Sequence, residues 1–262
     1  MDCKIKIKIK KISFLILLVS AVSAVSAVSA YADKNFEKYL KEADEIYKKR
    51  RDFSQARLAL KSYQKISEKF SDRYEIYSRL AMVNYFVGHH SDDLNEKIQH
   101  FKEGMSNAER CVELSKEKSA ECFFWLATNE ILYRQENGKL SMVFNISSVI
   151  SNYERALKID PQYVYGGSYR MLGILYNKLP GILGGDNKRS EEYFIKAIET
   201  APDEPLNYMF LSKLYSEQGK NELASEWVNK GLKRVKELPD ERYESLGSLE
   251  ELKYFVKNGK WP

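Results

Sequence analysis

The chain has 262 residues, 44% of them hydrophobic and 30% charged, and a formal net charge of +5. Most of that charge sits at one end: residues 1–32 hold five Lys and one Asp, so residues 33–262 carry about +1, which excludes a basic nucleic-acid-binding surface. What remains is long enough for one elongated domain with a continuous core. The first segment is built in a recognisable order. Lys4, Lys6, Lys8, Lys10 and Lys11 form a basic head, an apolar run starts at Ile12, and a small-residue tail ends in Ala30-Tyr31-Ala32. This order predicts a secretory signal peptide over residues 1–32, a chain beginning at Asp33, and a periplasmic or secreted location. The alternative is an uncleaved membrane anchor over Ile12 to Ala30. Cys3 precedes the apolar run and is therefore not placed for lipoprotein acylation.

Residues 33–262 read as helix after helix, with internal similarity near a 34-residue period. From Pro205, the residues Leu211-Ser212, Tyr215, Gly219, Ala224, Val228 and Gly231 follow the tetratricopeptide (TPR) frame. Large residues pack inside each helix hairpin and small ones sit where its two helices touch. Leu172-Gly173, Tyr176, Ser190, Phe194, Ala197 and Pro202 repeat the frame once an insertion is allowed. Leu126-Ala127 with Tyr153, Ala156 and Pro161 repeat it around an insertion at "NGKLSMVFNIS". Leu80-Ala81, Tyr85, Gly104 and Ala108 do so around an insertion at "GHHSDDLNE". Tyr47, Phe53 and Ala56 mark a first, degenerate unit. A closing amphipathic helix is expected over about Asp240 to Lys257, with Leu246, Leu249, Leu252, Phe255 and Val256 inward. The predicted fold is all-α: a TPR-like α-solenoid of about five helix hairpins with inter-helix insertions and a C-terminal capping helix, stabilised by stacking.

The insertion "LPGILGGD" breaks this run of helices. It is not a phosphate loop, because the spacing G-x-x-x-x-G-K-[ST] is missed and a helix precedes it instead of a strand. Pro180 forces Leu179 out of helical geometry. Gly181, Gly184 and Gly185 permit positive backbone torsions, and Asp186 can N-cap the next helix. The expectation is an ordered loop that folds against the concave end of its own hairpin and holds Arg170 towards the groove.

The segment from Tyr165 to Pro202 resembles the signature region of TatT-type proteins, TPR-like T components associated with periplasmic TRAP (tripartite ATP-independent periplasmic) transport systems. Gly166-Gly167, Arg170, Leu172-Gly173, Leu179-Pro180-Gly181, Gly184-Gly185-Asp186 and the Phe194/Ala197 pair carry that resemblance. It implies a periplasmic helical protein with a ligand-accessible groove, homo-oligomeric assembly, and cooperation with a substrate-binding protein.

Chemistry is sparse. His89 and His90 are adjacent in a charged segment and read as solvated, no i, i+4 His pair marks a metal site, and no Ser-His-Asp or Cys-His spacing is present. No cofactor, metal or catalytic residue is expected. The first helices of TPR hairpins line the concave side, and the residues placed there are Tyr85, Phe124, Thr128, Arg170 and Asn177. Aromatic walls with one arginine suit an extended peptide, or a small organic acid held by a forked contact from Arg170. The competing reading of Arg170 is an internal salt bridge to Asp186 or Glu191. Cys111 and Cys122 lie at equal distances from the turn "SKEKS". They either form a disulfide, which an oxidising compartment permits, or pack as two small buried residues. Two functions follow: a non-enzymatic accessory of solute uptake that binds a substrate-binding protein or small ligand, as the resemblance implies, or a general protein-interaction scaffold of the envelope.

Overall fold

The computed structural model describes residues 33–138, 146–235 and 238–262. The expected signal peptide, Cys3 and part of the "NGKLSMVFNIS" insertion lie outside them. The chain divides into two compact units, residues 1–45 and 46–262. Helix α1 spans residues 33–47, of which 33–45 are the described part of the first unit, where Lys38 and Glu42 pair at 3.9 Å one turn apart.

The second unit is a succession of helices: α2 Phe53–Lys69, α3 Tyr74–His90, α4 Leu94–Leu114, α5 Ala120–Glu136, α6 Ile146–Ile159, α7 Tyr163–Lys178, α8 Asn187–Thr200, α9 Pro205–Glu217, α10 Asn221–Arg234 and α11 Tyr243–Asn258. No strand occurs among the described residues. The helices pair as antiparallel hairpins (α3 with α4, α5 with α6, α7 with α8, α9 with α10), and α11 closes the stack on α9 and α10. Starts are set by capping. Asp93 accepts from the Glu96 amide at 2.7 Å, Asp186 from Lys188 at 2.8 Å and Arg189 at 3.2 Å, and Glu204 from Leu206 at 3.0 Å ahead of Pro205. Asp186→Ala is therefore expected to cost about 1 kcal/mol, read as a small drop in denaturation midpoint with unchanged slope.

The core runs along the stack. One cluster gathers Phe123, Trp125, Tyr153 and Leu172, and the next gathers Phe194, Leu211, Leu214, Val228 and Leu252. The small TPR positions are set by contact: a Cβ added at Gly173 would come within 2.6 Å of the Phe194 ring. First helices also touch across repeats, α3 with α5, α5 with α7, α7 with α9 and α9 with α11. Successive second helices make no comparable contact among the described residues. The stack therefore curves with its first helices on the inside.

Two expectations change. The extra residues at "GHHSDDLNE" do not form a loop: they lengthen the helices, α3 continuing through His90, and only Ser91, Asp92 and Asp93 separate it from α4. The buried face of α11 is Ser245, Ser248, Leu252 and Phe255; Leu246 and Leu249 are half-buried, and Val256 is exposed. Lys116 and Glu117, in the turn between α4 and α5, have φ of 52° and 61°. Across that turn a disulfide joins Cys111 to Cys122, with Cα atoms 5.3 Å apart and both side chains buried. Their separation of 11 residues makes a short loop. Cys111→Ser with Cys122→Ser is expected to cost about 2–3 kcal/mol in the chain-entropy account. Urea melts of the oxidised parent and the double variant measure it.

Candidate functional site

The inner side of the stack is a continuous run of rings. On α3, Tyr85 stacks on His89, one turn on, with centroids 5.8 Å apart. It also meets Trp125 of α5 at 5.3 Å. The Trp125 indole Nε1 donates to the Tyr163 hydroxyl of α7 at 2.7 Å. Behind this layer Phe124 packs on Trp125 at 5.0 Å, Tyr163 at 5.5 Å and Tyr153 at 5.7 Å. Period-four placement on facing first helices puts these rings side by side. Tyr85 and Tyr163 are half-buried, so they border the inner space instead of filling the core. The Tyr85 hydroxyl has no hydrogen-bond partner among the described residues. Burial, and next the Glu244 carboxylate, push its pKa up to about 12, against the pull of Arg170 and Arg50. It stays a neutral donor at any physiological pH. Burial, and then the neighbouring His90, lower the His89 pKa, which favours a neutral imidazole on the wall.

Arg170 sits deeper and is spoken for. Val164, Tyr165 and Gly166 run left-handed, with φ of 50°, 56° and 73°, before α7 proper begins. Such a turn costs energy at its two non-glycine residues and needs outside support. Arg170 supplies it. Nη1 donates to the Asn207 amide oxygen at 2.6 Å and the Tyr165 carbonyl at 3.4 Å, and Nη2 to the Val164 carbonyl at 3.4 Å. Asn207 returns donors to the Ala197 carbonyl at 2.9 Å and the Tyr165 carbonyl at 3.2 Å. Only 6% of Arg170 is exposed, and burial lowers its pKa. The glycine doublet serves the same turn: Gly166 takes the left-handed torsion, and a Cβ on Gly167 would meet the Phe124 ring at 3.0 Å.

The five residues expected on the groove therefore separate. Tyr85 lines the inner space. Phe124 and Thr128 are buried, and the Thr128 hydroxyl bonds the Phe124 carbonyl at 2.8 Å and the Tyr153 hydroxyl at 2.9 Å. Both are packing residues. Arg170 is committed to the turn and to Asn207, and makes neither of the ion pairs considered for it, because Asp186 caps α8 and Glu191 accepts from the Tyr215 hydroxyl at 2.9 Å. Asn177 stands at the far end of α7, bonded to Glu217 of α9 at 3.1 Å.

The Pro180–Asp186 loop is also not behind Arg170. It is a 3-10 turn over Gly181–Leu183, tied to its own hairpin by Gly185 N–H to the Pro180 carbonyl at 3.1 Å and Asp186 N–H to the Tyr176 carbonyl at 2.8 Å. Its tip residue Ile182 is 94% exposed. Gly184 alone of the loop glycines has positive φ, at 89°.

Sequence reasoning missed Tyr163 and His89 as wall residues, and Trp125 as the buried ring that joins Tyr85 to Tyr163. Trp125 and Tyr163 could have been found, since each lies on a first helix within two turns of a residue that was chosen. No group of three or more His, Cys, Asp or Glu side chains arranged to hold a metal occurs among the described residues.

A solved TPR structure supports the helical-repeat fold. The chain is similar to a thermophilic TPR protein of Thermus thermophilus, with a TM-score of 0.59, 17% identity, and coverage of 82% of this chain and 99% of that one. It also matches MamA, with a TM-score of 0.47, 19% identity, and coverage of 71% of this chain and 92% of that one. Over 64 residues it is 38% identical to the Sol locus transcriptional repressor of Clostridium acetobutylicum, which is 24% of this chain. The chain spans about a fifth of that curated relative, 19% of its length. A family model described as "Regulator of microtubule dynamics protein 1-3" matches residues 39–177, which run from α1 to near the end of α7 and include the whole aromatic wall. That match covers more than half of the chain, which therefore belongs to this family of TPR-like helical proteins.

Proposed function

We propose that this chain is a non-enzymatic TPR-type scaffold that binds an extended segment of a protein partner along its inner aromatic wall. The observation that carries this reading is the row His89, Tyr85 and Tyr163, joined through the buried Trp125, which crosses three successive first helices on the concave side. Flat rings offer a large contact area at low entropic cost, and the unpartnered Tyr85 hydroxyl offers a donor for a backbone carbonyl. The matching family model is described as a regulator of microtubule dynamics, which is compatible with a protein-binding role. The resemblance over Tyr165 to Pro202 supports a finer reading: an exported accessory of TRAP-type solute uptake whose partner is a substrate-binding protein. The disulfide Cys111–Cys122 supports an oxidising location. A small organic acid held by Arg170 is the weaker option, because both terminal nitrogens of that guanidinium already have acceptors.

Selection of displayed peptides on the purified chain tests the reading. Selected peptides should bind Tyr85→Ala with at least about tenfold lower affinity, the loss expected when a central aromatic anchor is removed. They should bind Ile182→Ala unchanged. Equal affinity for Tyr85→Ala and the parent would overturn the inner-wall assignment.

A further inference from the structure

The second unit is joined end to end. Arg50, in the turn before α2, donates through Nε to Glu244 Oε1 at 3.1 Å and through Nη2 to Glu244 Oε2 at 2.5 Å. The same Nη2 donates to the Glu241 carbonyl at 2.9 Å. These partners are 194 and 191 residues away in sequence. The guanidinium also lies over Tyr47 at 4.8 Å and Phe86 at 5.7 Å, and Tyr243 meets Phe86 at 6.5 Å and His90 at 6.4 Å. A forked ion pair backed by rings is a strong point contact. Burial lowers the Arg50 pKa, but the hydrogen bond and charge of Glu244 outweigh it, so the net shift is upward and the cation is favoured.

The start of α11 is fastened on a second side. Arg242 donates to Glu204 at 2.7 Å and Ser245 to the same carboxylate oxygen at 2.8 Å, with Arg242 stacked 4.1 Å over Tyr165. The body of α11 packs only on α9 and α10 to any extent, so side chains of its first turn make the reach to Arg50 and α3. Residues 241–245 thus bridge the left-handed turn at one end of the aromatic wall and Phe86 and His90 at the other.

We propose that the Arg50–Glu244 pair is a separable clasp that closes the inner wall, and that its opening gates the entry of a partner segment. This rests on the inner wall being the binding face. A contact made by one short segment, residues 241–245, without helix-on-helix packing is weaker than the stack it closes, so it opens without global unfolding. A partner that binds only the open form then sees an affinity lowered by the fraction open.

Hydrogen exchange of the full chain, with no partner present, tests the clasp. In the parent, amides in 46–52 and 241–246 should exchange together and faster than those of α5 and α9. Glu244→Gln should speed both segments by about tenfold, the loss of one charge-assisted bond, and leave α5 and α9 unchanged. Two results would overturn the clasp: exchange of both segments only at the rate of α5 and α9 in the parent, or acceleration of one segment alone in the variant. Because no partner is involved, failure here leaves the peptide-binding result standing, and failure of peptide binding leaves the clasp standing.

Discussion

Arg170→Ala is expected to destabilise the protein by about 3 kcal/mol, seen as a fall in melting temperature of about 6–12 °C for a unit of this size. The Asn207 amide oxygen, within 2.6 Å of the guanidinium, would lose its charged donor in a site from which water is excluded. The Val164 and Tyr165 carbonyls would lose their contacts as well, at a turn that already carries two non-glycine residues at positive φ. Arg170→Lys should recover little of this, because a single ammonium cannot span three acceptors spread over two helices. Calorimetry of both variants measures the effect. A melting temperature within 2 °C of the parent, roughly the shift from half a kcal/mol, would return Arg170 to the groove and undo the placement of the turn.

Gly185→Ala is expected to cost about 3 kcal/mol, the upper end for forced overpacking, even though alanine is the smallest possible addition. Gly185 does not need a positive φ. The added Cβ would instead land on the carbonyl oxygen of Leu179, which is backbone and cannot rotate away. The loop cannot relax cheaply either, since Gly185 donates to the Pro180 carbonyl at the loop's own start and Asp186 to the Tyr176 carbonyl of α7. Gly184→Ala meets only the torsional penalty, having φ of 89° and no atom within 4 Å of a new Cβ. Its cost should be smaller, about 1 kcal/mol. Chemical denaturation of the pair separates collision from torsion, and a larger loss at Gly184 than at Gly185 would contradict this account.

These two sites show which parts of the molecule were legible in the sequence. The hairpins were, because each TPR position specifies one contact: Gly173 must be small to admit Phe194, and Tyr176, Leu211 and Tyr215 are buried where the frame places them. The capping role of Asp186 was legible from its position before a helix. The role of Arg170 was not, because its partners come from a left-handed turn five and six residues back and from Asn207, a full hairpin onward. Periodicity carries no information on such a meeting. Phe124 and Thr128 were assigned to the surface by helix position alone, and Tyr153 from the next helix covers both. The clasp was invisible for a similar reason. Arg50 and Glu244 are ordinary charged residues in sequence, and only the curvature accumulated over the intervening hairpins brings them together.

The claim that matters most is that partners bind on the inner wall, and photo-cross-linking reads it directly. With benzoylphenylalanine placed at Tyr85 or at Ile182, a peptide selected on the parent chain should cross-link at position 85 and not at position 182. Cross-linking at Ile182 with none at Tyr85 would contradict the account and move the binding surface to the exposed loop.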